Sequence, residues 1–381
     1  MRVLYDYQAF EMQKYGGISN CFVKLIENLP KEIDYSIAIK ESDNIHLKDS
    51  SLHVDLTSCR LLEENFISKK KFYGRGFLYR GLSSLCPQLT TLGINRQCSI
   101  NAIKNDDFDV FHPTFFHPYF LRYIQRKPFV LTVHDMIPEL FKETAYKQQE
   151  AKLLLCKKAA RIITVSERTK QDLIEMFNIS EKKIEVIYHG APNYPIISES
   201  RPIIVGRYIL YVGLRKRYKS FMLMMKYLAP FLSRHEDIKV VCTGPSFSKD
   251  ELDILRNLNM ANRVEHRKVN DEELYNLYSN ALCFIYPSMY EGFGIPILEA
   301  YSANCPVLLN NASCFPEIAQ DAAIYFNLNE NGSDLEYVME DFLTKLGSDV
   351  DSLLCKQRQR LASFSWKESA KKLADVYRSL V

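Results

Sequence analysis

The amino-acid sequence predicts an α/β protein with two domains built on parallel sheets, and three observations lead to this prediction. Short apolar runs alternate with stretches of helical periodicity along the chain, as in repeated βαβ units. The length of 381 residues exceeds that of one ordinary domain. A break rich in glycine, proline and polar residues, between residues 190 and 202, separates two series of such units.

The elements follow in chain order. The first series has strand candidates at residues 3–7, 35–39, 109–112, 129–134, 161–165 and 184–189, with helical periodicity at 18–29, 147–160 and 167–177. The second series has strand candidates at residues 208–212, 238–243, 281–286, 307–309 and 323–326, and an amphipathic helix is predicted at 366–380. We therefore predict domains at residues 1–197 and 198–362, followed by a helical tail at 363–381.

The composition excludes several classes of protein. The apolar fraction of 47% and the charged fraction of 25% are typical of a globular protein, and a net charge of +3 is too small to indicate nucleic-acid binding. The ten cysteines are scattered without metal-ligand spacing, which indicates reduced thiols in a cytosolic protein. We see no secretory leader and no apolar stretch long enough to span a bilayer, so we expect a cytoplasmic protein.

The most informative segment is YEGFGIPILE at residues 290–299, which follows a buried-strand candidate. Glu291 and Glu299 flank a glycine turn, and Pro296 suits the first turn of a helix. Ligands of open α/β sheets bind at the carboxyl ends of strands, and free N–H groups at a helix start favour an anion such as phosphate. Two carboxylates at such a turn suit a sugar nucleotide. A solvated acidic pair is the alternative.

This segment resembles the Glu-x7-Glu motif of retaining glycosyltransferases of family 4, the glycosyl transferases group 1. The resemblance implies the GT-B fold, in which two Rossmann-like domains have parallel sheets facing a central cleft and the tail packs back on the first domain. It implies that Glu299 holds the ribose hydroxyls and that Glu291 lies near the transferred sugar. The backbone of Gly292, Phe293 and Gly294 would approach the sugar and the diphosphate.

A basic segment follows the first strand of the second series. That strand ends in Gly213, and four of the next six residues are cations, which would form an anion site. The resemblance assigns Arg215 and Lys219 to the diphosphate of the donor. Lys216 and Arg217 are expected to face solvent. A solvated basic loop is the alternative.

In the first series, a strand ends at His134, followed by Asp135. This resembles the His-Asp turn of the family, in which the histidine contacts the transferred sugar. A structural histidine is the alternative, and Asp135 could cap the following turn.

Two glycines, Gly16 and Gly17, lie between the first strand and the first helix, where Ser19 can cap the helix. The family has a glycine-rich loop here, near the donor sugar and the acceptor. The segment is neither a Walker loop nor a dinucleotide fingerprint, which speaks against a nicotinamide oxidoreductase.

Further segments extend the resemblance over most of the chain after about residue 100. Ser166 and Glu317 are assigned as pocket residues, and Gly244 matches the glycine expected at the end of the strand at 238–243. The basic segment at residues 264–268 departs from the family, which often has a small residue or a glycine there. The base of the donor therefore stays open.

We predict no metal and no bound cofactor, with the nucleotide sugar as co-substrate. The two Asp-x-Asp sequences, at residues 107–109 and 349–351, resemble a metal-diphosphate motif of another glycosyltransferase fold. The first precedes a strand, at the wrong edge of a parallel sheet, and the second lies in a polar region, so both are interpreted as surface acids. Arg215 and Lys219 can supply the positive charge that a metal would bring.

A basic and aromatic stretch at residues 66–80 indicates contact with an anionic membrane surface. A solvated loop and nucleic-acid binding are the alternatives. With the resemblance, this stretch predicts a cytoplasmic enzyme at the inner face of the membrane.

The function predicted from the sequence is a retaining, metal-independent, hexosyl-type glycosyltransferase of surface-polysaccharide or glycoconjugate biosynthesis. It would transfer sugar from a nucleotide-sugar donor to a hydroxyl of a saccharide or lipid-linked acceptor, without a nucleic-acid partner. The alternatives are a nucleotide-sugar epimerase or phosphorylase on the same fold, and a non-catalytic sugar-nucleotide-binding subunit.

Overall fold

A computed structural model describes residues 1–67, 72–141, 146–192, 202–345 and 347–381. The chain divides into two compact units: the first contains Met1–Val165, Lys170–Ile187 and Trp366–Val381, and the second contains Ser166–Thr169 and Tyr188–Ser365. The predicted boundary between residues 197 and 198 lies outside the described residues. The second predicted boundary, between 362 and 363, lies just before the chain re-enters the first unit.

The strands are β1 (Arg2–Asp6), β2 (Asp34–Ala38), β3 (Val110–His112), β4 (Val130–Val133), β5 (Arg161–Thr164), β6 (Ile184–Val186), β7 (Arg207–Tyr211), β8 (Ile238–Cys242), β9 (Val264–His266), β10 (Cys283–Tyr286), β11 (Val307–Asn310), β12 (Ile324–Phe326), β13 (Leu328–Asn329) and β14 (Gly332–Ser333). The α-helices are α1 (Gln8–Met12), α2 (Gly17–Glu27), α3 (Ile45–Lys48), α4 (Arg75–Leu85), α5 (Thr91–Asn105), α6 (Ile137–Phe141), α7 (Tyr146–Lys158), α8 (Glu167–Phe177), α9 (Phe221–Arg234), α10 (Lys249–Asn257), α11 (Asp271–Asn280), α12 (Ile295–Ser302), α13 (Phe315–Ala319), α14 (Leu335–Thr344), α15 (Ser348–Leu361) and α16 (Trp366–Arg378). Short 3-10 segments are Glu63–Asn65, Pro87–Leu89, Pro118–Arg122, Glu181–Lys183 and Arg217–Lys219.

In the first unit, the strands form two parallel sheets with the orders β2-β1-β3 and β4-β5-β6. A parallel bridge between Phe111 and Phe129 joins the two sheets at β3 and β4. The inner strands β1, β3 and β4 are buried almost throughout, as expected for parallel strands covered on both faces. The predicted strands are confirmed, although the one expected at residues 184–189 ends at Val186.

The last helix, α16, belongs to the first unit and is held by buried polar contacts. The hydroxyl of Tyr377 lies 2.8 Å from the hydroxyl of Tyr5 on β1 and 2.6 Å from Nδ1 of His112 on β3. Nε2 of His112 lies 2.9 Å from the hydroxyl of Thr132 on β4. Burial lowers the pKa of His112 to about 3, so the ring is neutral near pH 7. Each of its two nitrogens has a hydrogen-bond partner.

In the second unit, six parallel strands have the order β12-β11-β10-β7-β8-β9. This is the doubly wound order in which the chain starts in the middle, moves to one edge, and then fills the other side. The order in which the chain adds strands reverses between β7 and β10, although the two strands are parallel. The carboxyl ends of β7 and β10 therefore border the crevice where ligands of this fold bind. A small antiparallel hairpin, β13-β14, was not predicted.

Helix α9 packs its apolar face against this sheet. Phe221, Met224 and Leu228 are buried in one cluster with Ile209 of β7 and Val240 of β8. Burial of each such side chain contributes about 1.5–3 kcal/mol. This packing fixes the strand on one side of the crevice.

Among the described residues, no helix combines the length and the apolar character needed to cross a bilayer.

We expect the change Tyr377→Phe to lower the free energy of unfolding by about 1–3 kcal/mol, because it leaves the buried groups of Tyr5 and His112 without their shared partner. Urea denaturation monitored by circular dichroism checks this expectation. Tyr337→Phe is the matched control, because Tyr337 is 73% exposed. Equal stabilities of the two variants would contradict the structural role of the Tyr377 hydroxyl.

Candidate functional site

The centre of the candidate site is an ion pair at the crevice of the second unit. Lys219 lies in the 3-10 segment that follows β7, and Glu291 lies in the turn that follows β10. The Nζ atom of Lys219 lies 2.5 Å from Oε1 of Glu291, and the two side chains are only 14% and 10% exposed. The structure therefore brings together two residues that are 72 positions apart in the sequence.

Two tyrosines surround the Lys219 ammonium. The hydroxyl of Tyr286 lies 3.4 Å from Nζ, and the rings of Tyr218 and Tyr286 lie 5.4 and 5.5 Å from it. Burial, and then the charge of Glu291, raises the pKa of Tyr286 well above its usual value, so the phenol stays protonated. The ammonium thus has a carboxylate, a phenol and two aromatic faces around it, and a phosphate oxygen could compete with Glu291 for it.

The backbone of Glu291 is fixed by the loop after β11. Its N–H donates to the hydroxyl of Ser313 at 3.1 Å, and that hydroxyl donates to the Glu291 carbonyl at 2.8 Å. The Cys314 thiol donates to the carbonyls of Glu291 and Phe293. The turn is therefore held in one conformation before any ligand binds.

The glycine turn ends at Gly294, which precedes α12 with φ of +93°. A Cβ atom here would lie 3.1 Å from Ile297 and 3.2 Å from Phe315, so both the conformation and the space favour glycine. Gly292, like Gly294, is buried, and Pro296 lies in the first turn of α12 as predicted.

Glu299 lies one turn into α12 and is partly buried. Its Oε2 accepts a hydrogen bond from the Tyr278 hydroxyl at 3.1 Å. Glu291 and Glu299 therefore have different partners, Lys219 and Tyr278.

Arg215 has a partly buried acidic partner that was not predicted from the sequence. Its guanidinium donates to Glu251 at 2.9 Å and to the carbonyl of Pro245 at 2.6 Å, and it lies 4.3 Å from the centre of the Phe247 ring. Burial raises the pKa of Glu251, but the hydrogen bond from Arg215 and the Ser248 N–H lower it overall. Of the guanidinium nitrogens of Arg215, Nη1 is buried and has no hydrogen-bond partner among the described residues. Its role with the diphosphate stays a prediction, and the neighbouring Lys216 and Arg217 are exposed as expected.

Two glycines bring the ends of β7 and β8 together. A Cβ atom on Gly244 would lie 2.5 Å from the carbonyl oxygen of Gly213, and both residues have positive φ, +97° and +120°. The Gly244 carbonyl accepts a hydrogen bond from Nε2 of His266, on the strand where the sequence departs from the family. Close packing therefore excludes a side chain at Gly244, whereas at Gly213 the positive φ alone favours glycine.

Ser166 and Glu317 both accept local hydrogen bonds in the second unit. The Ser166 hydroxyl accepts from the N–H of Thr169 at 3.1 Å, as at a helix start. The Glu317 carboxylate accepts from the N–H groups of Glu167 and Arg168 at 2.7 and 3.2 Å. The assignment of both residues to the ligand pocket stays a prediction.

In the first unit, Gly16 precedes α2 and Gly17 begins it. The expectation that Ser19 caps this helix is wrong, because Ser19 lies inside α2 and its hydroxyl donates to the Gly16 carbonyl. The side-chain amide of Asn44 in turn donates to the Ser19 hydroxyl at 2.9 Å, so two successive hydrogen bonds link Asn44 to the glycine loop.

His134 follows β4, with its ring 6.0 Å from that of Phe22. Burial, and then the charge of Lys152, lowers the pKa of His134 to about 4, so a neutral imidazole is present near pH 7.

Lys152 itself forms a buried ion pair with Glu139 at 2.8 Å, with side chains 2% and 4% exposed. This ion pair was not predicted from the sequence. The feature of the sequence that could have indicated the pair is a Glu and a Lys on the two consecutive helices, α6 and α7, that follow β4. Asp135 accepts from the Ile137 N–H, which is the capping alternative.

The first of the two Asp-x-Asp sequences lies beside the start of β1, and the second lies at the start of α15. Asp109 accepts from the Arg2 N–H and Asp107 pairs with the Arg2 side chain, next to the amino end of β1. Asp349 and Asp351 lie in the first turn of α15. Both are surface acids, as interpreted from the sequence.

Comparison with known proteins identifies the class. Residues 203–344 match the model of the glycosyl transferases group 1, and residues 75–192 match that of Glycosyltransferase Family 4. The two matches cover large parts of both units, and the chain belongs to the group 1 glycosyltransferases. The family and the GT-B fold predicted from the sequence are confirmed.

Similar proteins agree with this class. The O-antigen chain mannosyltransferase RfbU of Salmonella typhimurium is 28% identical over 207 residues, which cover 53% of this chain and 58% of that protein. The O-antigen chain mannosyltransferase B of Escherichia coli is 26% identical over 73% of this chain and 76% of that protein. Anabaena Alr3699/HepE in complex with UDP matches over the full length of both chains, with a TM-score of 0.71 and 14% identity. Sucrose-phosphate synthase of Thermosynechococcus elongatus matches over 100% of this chain and 98% of that one, with a TM-score of 0.69 and 16% identity.

We expect the change Lys219→Ala to lower the free energy of unfolding by about 3–5 kcal/mol, because it leaves the Glu291 carboxylate buried without its cation. The double variant Lys219→Met, Glu291→Gln removes both charges, and we expect it to recover most of that loss. Thermal and urea unfolding of the two variants check this. If the double variant is less stable than the single one, the ion pair does not account for the loss.

Proposed function

We propose that this protein is a glycosyltransferase that transfers a hexose, with mannose as the first candidate, from a nucleoside diphosphate sugar to a saccharide acceptor. The observation that carries the proposal is the Lys219–Glu291 pair at the strand-order reversal of the second unit. Two relatives of similar sequence are O-antigen mannosyltransferases, which supports mannose and a polysaccharide acceptor. A third is named for transfer to a saccharide on diphospho-undecaprenol, which supports a lipid-linked acceptor.

In the proposed binding mode, the donor lies on the second unit. The ribose hydroxyls bind Glu299, and the diphosphate binds Lys219, the free Nη1 of Arg215 and the N–H groups at the start of α12. Glu291 then contacts the transferred sugar. The first unit, with Gly16, Gly17 and His134, receives the acceptor.

The proposed chemistry keeps the anomeric configuration. The leaving phosphate stays on the reacting face and takes the proton of the acceptor hydroxyl, so the bond to the sugar breaks and forms on the same side. The protein mainly stabilises the negative charge that develops on the diphosphate. Glu291 is bound to Lys219, which suits a positioning role better than that of a covalent nucleophile. The cations of the site take the place of a metal, and unchanged turnover in EDTA would support this part.

The first test is donor binding. We expect one nucleoside diphosphate, with GDP and UDP as the first candidates, to raise the melting temperature, because a ligand of the folded state stabilises it. Glu299→Gln should weaken that ligand about tenfold or more by removing the charge that accepts the ribose hydroxyls. Glu272→Gln is the control, since Glu272 is an exposed acid on α11.

Turnover then separates the classes. Release of the nucleoside diphosphate from GDP-mannose only when a saccharide acceptor is present would support transfer, and nuclear magnetic resonance of the product gives its anomeric configuration. Turnover without an acceptor would indicate an epimerase, and turnover with phosphate a phosphorylase. Donor binding without any turnover would indicate a binding subunit.

We also propose that the segment around α4 contacts an anionic bilayer. Residues 65–105 contain seven cations and no aspartate or glutamate, in a chain whose net charge is only +3. Within the described part of this segment, Tyr73, Phe77 and Leu85 are exposed by 105%, 80% and 84%. Exposed rings in a segment rich in cations suit the headgroup region of an anionic membrane. Residues 68–71 of the predicted stretch, with Lys69, Lys70 and Lys71, lie outside the described residues.

We expect the double change Phe77→Ser, Leu85→Ser to reduce sedimentation with vesicles containing anionic lipid by about tenfold, because it removes the apolar part of the contact. Binding of the wild type should also fall with added salt. Val205→Ser, at a residue 95% exposed in the second unit, is the control. Equal sedimentation of all three proteins would contradict the proposal.

A further inference from the structure

A cluster of polar side chains in the first unit lies outside the site described so far. It is at the carboxyl ends of β1 and β3, which are neighbours in the sheet although they are not consecutive in the chain. This is where the strand order of the first unit reverses, and ligands of open α/β sheets bind at such a point. The cluster contains Tyr7, Arg96 and His117, with Glu11 and Arg80 nearby.

His117 is held in place by the buried groups at the end of β1. The side chain of Asp6 accepts from the Thr114 N–H at 2.8 Å and from the side-chain amide of Gln8 at 2.6 Å. Gln8 in turn accepts from the His117 N–H at 2.8 Å and donates to the His117 carbonyl. The backbone of His117 is therefore fixed through a chain of hydrogen bonds.

The hydrogen bonds of His117 also define its tautomer. Nδ1 accepts from the backbone N–H of Tyr119 at 3.2 Å, so the proton of the neutral ring is on Nε2. Desolvation, followed by the charges of Arg96 and Arg80, lowers the pKa of His117 to about 4, and the ring is neutral near pH 7. Nε2 therefore acts as a donor.

The group that faces this donor is another donor. Nη2 of Arg96 lies 3.4 Å from Nε2 of His117, and neither group can accept a hydrogen bond from the other. The Nε atom of Arg96 lies 3.5 Å from the Tyr7 hydroxyl. Within the described part of the chain, neither Arg96 nor Arg80 forms an ion pair with a carboxylate. An oxyanion that accepts from both His117 and Arg96 would satisfy this arrangement.

We propose that Arg96 and His117 form a site for a phosphoryl group carried by the acceptor. The phosphoryl group fits because it offers several acceptor oxygens to one planar guanidinium and one imidazole. Arg80 adds positive charge at longer range. The carboxylate of Glu11 accepts a hydrogen bond from Asn95 and interacts electrostatically with Arg96. The assignment of the phosphoryl group to the acceptor rests on the proposed function, whereas the site itself does not.

The test uses the full chain labelled with ¹⁵N-histidine and inorganic pyrophosphate as the probe. We expect the Nε2 resonance of His117, assigned with His117→Gln, to shift and saturate on titration, and the pKa of His117 to rise. Arg96→Gln should weaken this binding about 10- to 100-fold, and Arg96→Lys by less, because it keeps the charge without the planar fork. The shift reports on this site even when pyrophosphate also binds near Lys219.

Arg122→Gln is the matched control, because it removes an exposed arginine from the 3-10 segment that His117 precedes. A His117 resonance that does not move, or that moves equally in the wild type and in Arg96→Gln, would overturn the proposal. The folded state of the variants is checked from the resonance of the buried His112.

A second arm identifies the source of the phosphoryl group. A saccharide on a polyprenyl diphosphate in nanodiscs should shift His117 at lower concentration than pyrophosphate, and Arg96→Gln should raise the KM for that acceptor but not for a free saccharide. If pyrophosphate binds more tightly than the lipid-linked acceptor, the phosphoryl group does not come from the acceptor. Binding at His117 without any sugar transfer would contradict the proposed function and support the phosphoryl site. Sugar transfer with a His117 resonance that does not shift would support the function and contradict the site.

Discussion

The contact between Lys219 and Glu291 is the constraint around which the second unit is organised. A buried ion pair gives little net stability, because removing both charges from water costs several kcal/mol per ion, and apolar residues would fill the same space better. The chain nevertheless holds both groups, using Gly213 and Gly244 to bring two loops together and Ser313 to fix the Glu291 backbone. A pair that stability alone does not favour is expected where a charged ligand takes over one of its partners.

The two units have a similar arrangement of strands and carboxylates. In each unit the strand order reverses next to the first strand, and in each a carboxylate lies near that point, Glu291 in the second unit and Asp6 in the first. Asp6 is fully buried, and its carboxylate accepts hydrogen bonds from Thr114, Gln8 and Tyr119. Its role is therefore structural. Burial raises the pKa of Asp6, although its donors oppose this. Glu291 instead pairs with the ammonium of a long lysine side chain, for which a ligand phosphate could compete.

Much of the fold was accessible from the sequence because buried parallel strands are continuous apolar runs, and the glycines at their ends have few substitutes. Gly294 shows this: its positive φ and the nearby Phe315 leave no room for a side chain, and the pattern around it was recognised. The partners of long charged side chains were not accessible. Arg215 was assigned to the donor from its position, yet the structure pairs it with Glu251, 36 residues later, and stacks it on Phe247. Nothing in the local sequence encodes that choice, because it depends on where α10 packs.

The environment of Arg215 has a consequence for how a diphosphate could be bound. Its guanidinium is already neutralised by Glu251, and the side chain is only 3% exposed, so the full charge of Arg215 is not available to a ligand. What remains is Nη1, whose two N–H groups are unsatisfied and can donate hydrogen bonds without any rearrangement. Lys219 differs, because its ammonium can turn from Glu291 to a phosphate oxygen by rotation of its side chain. Arg215 therefore suits the orientation of the diphosphate, and Lys219 suits the compensation of the charge that develops when the sugar leaves.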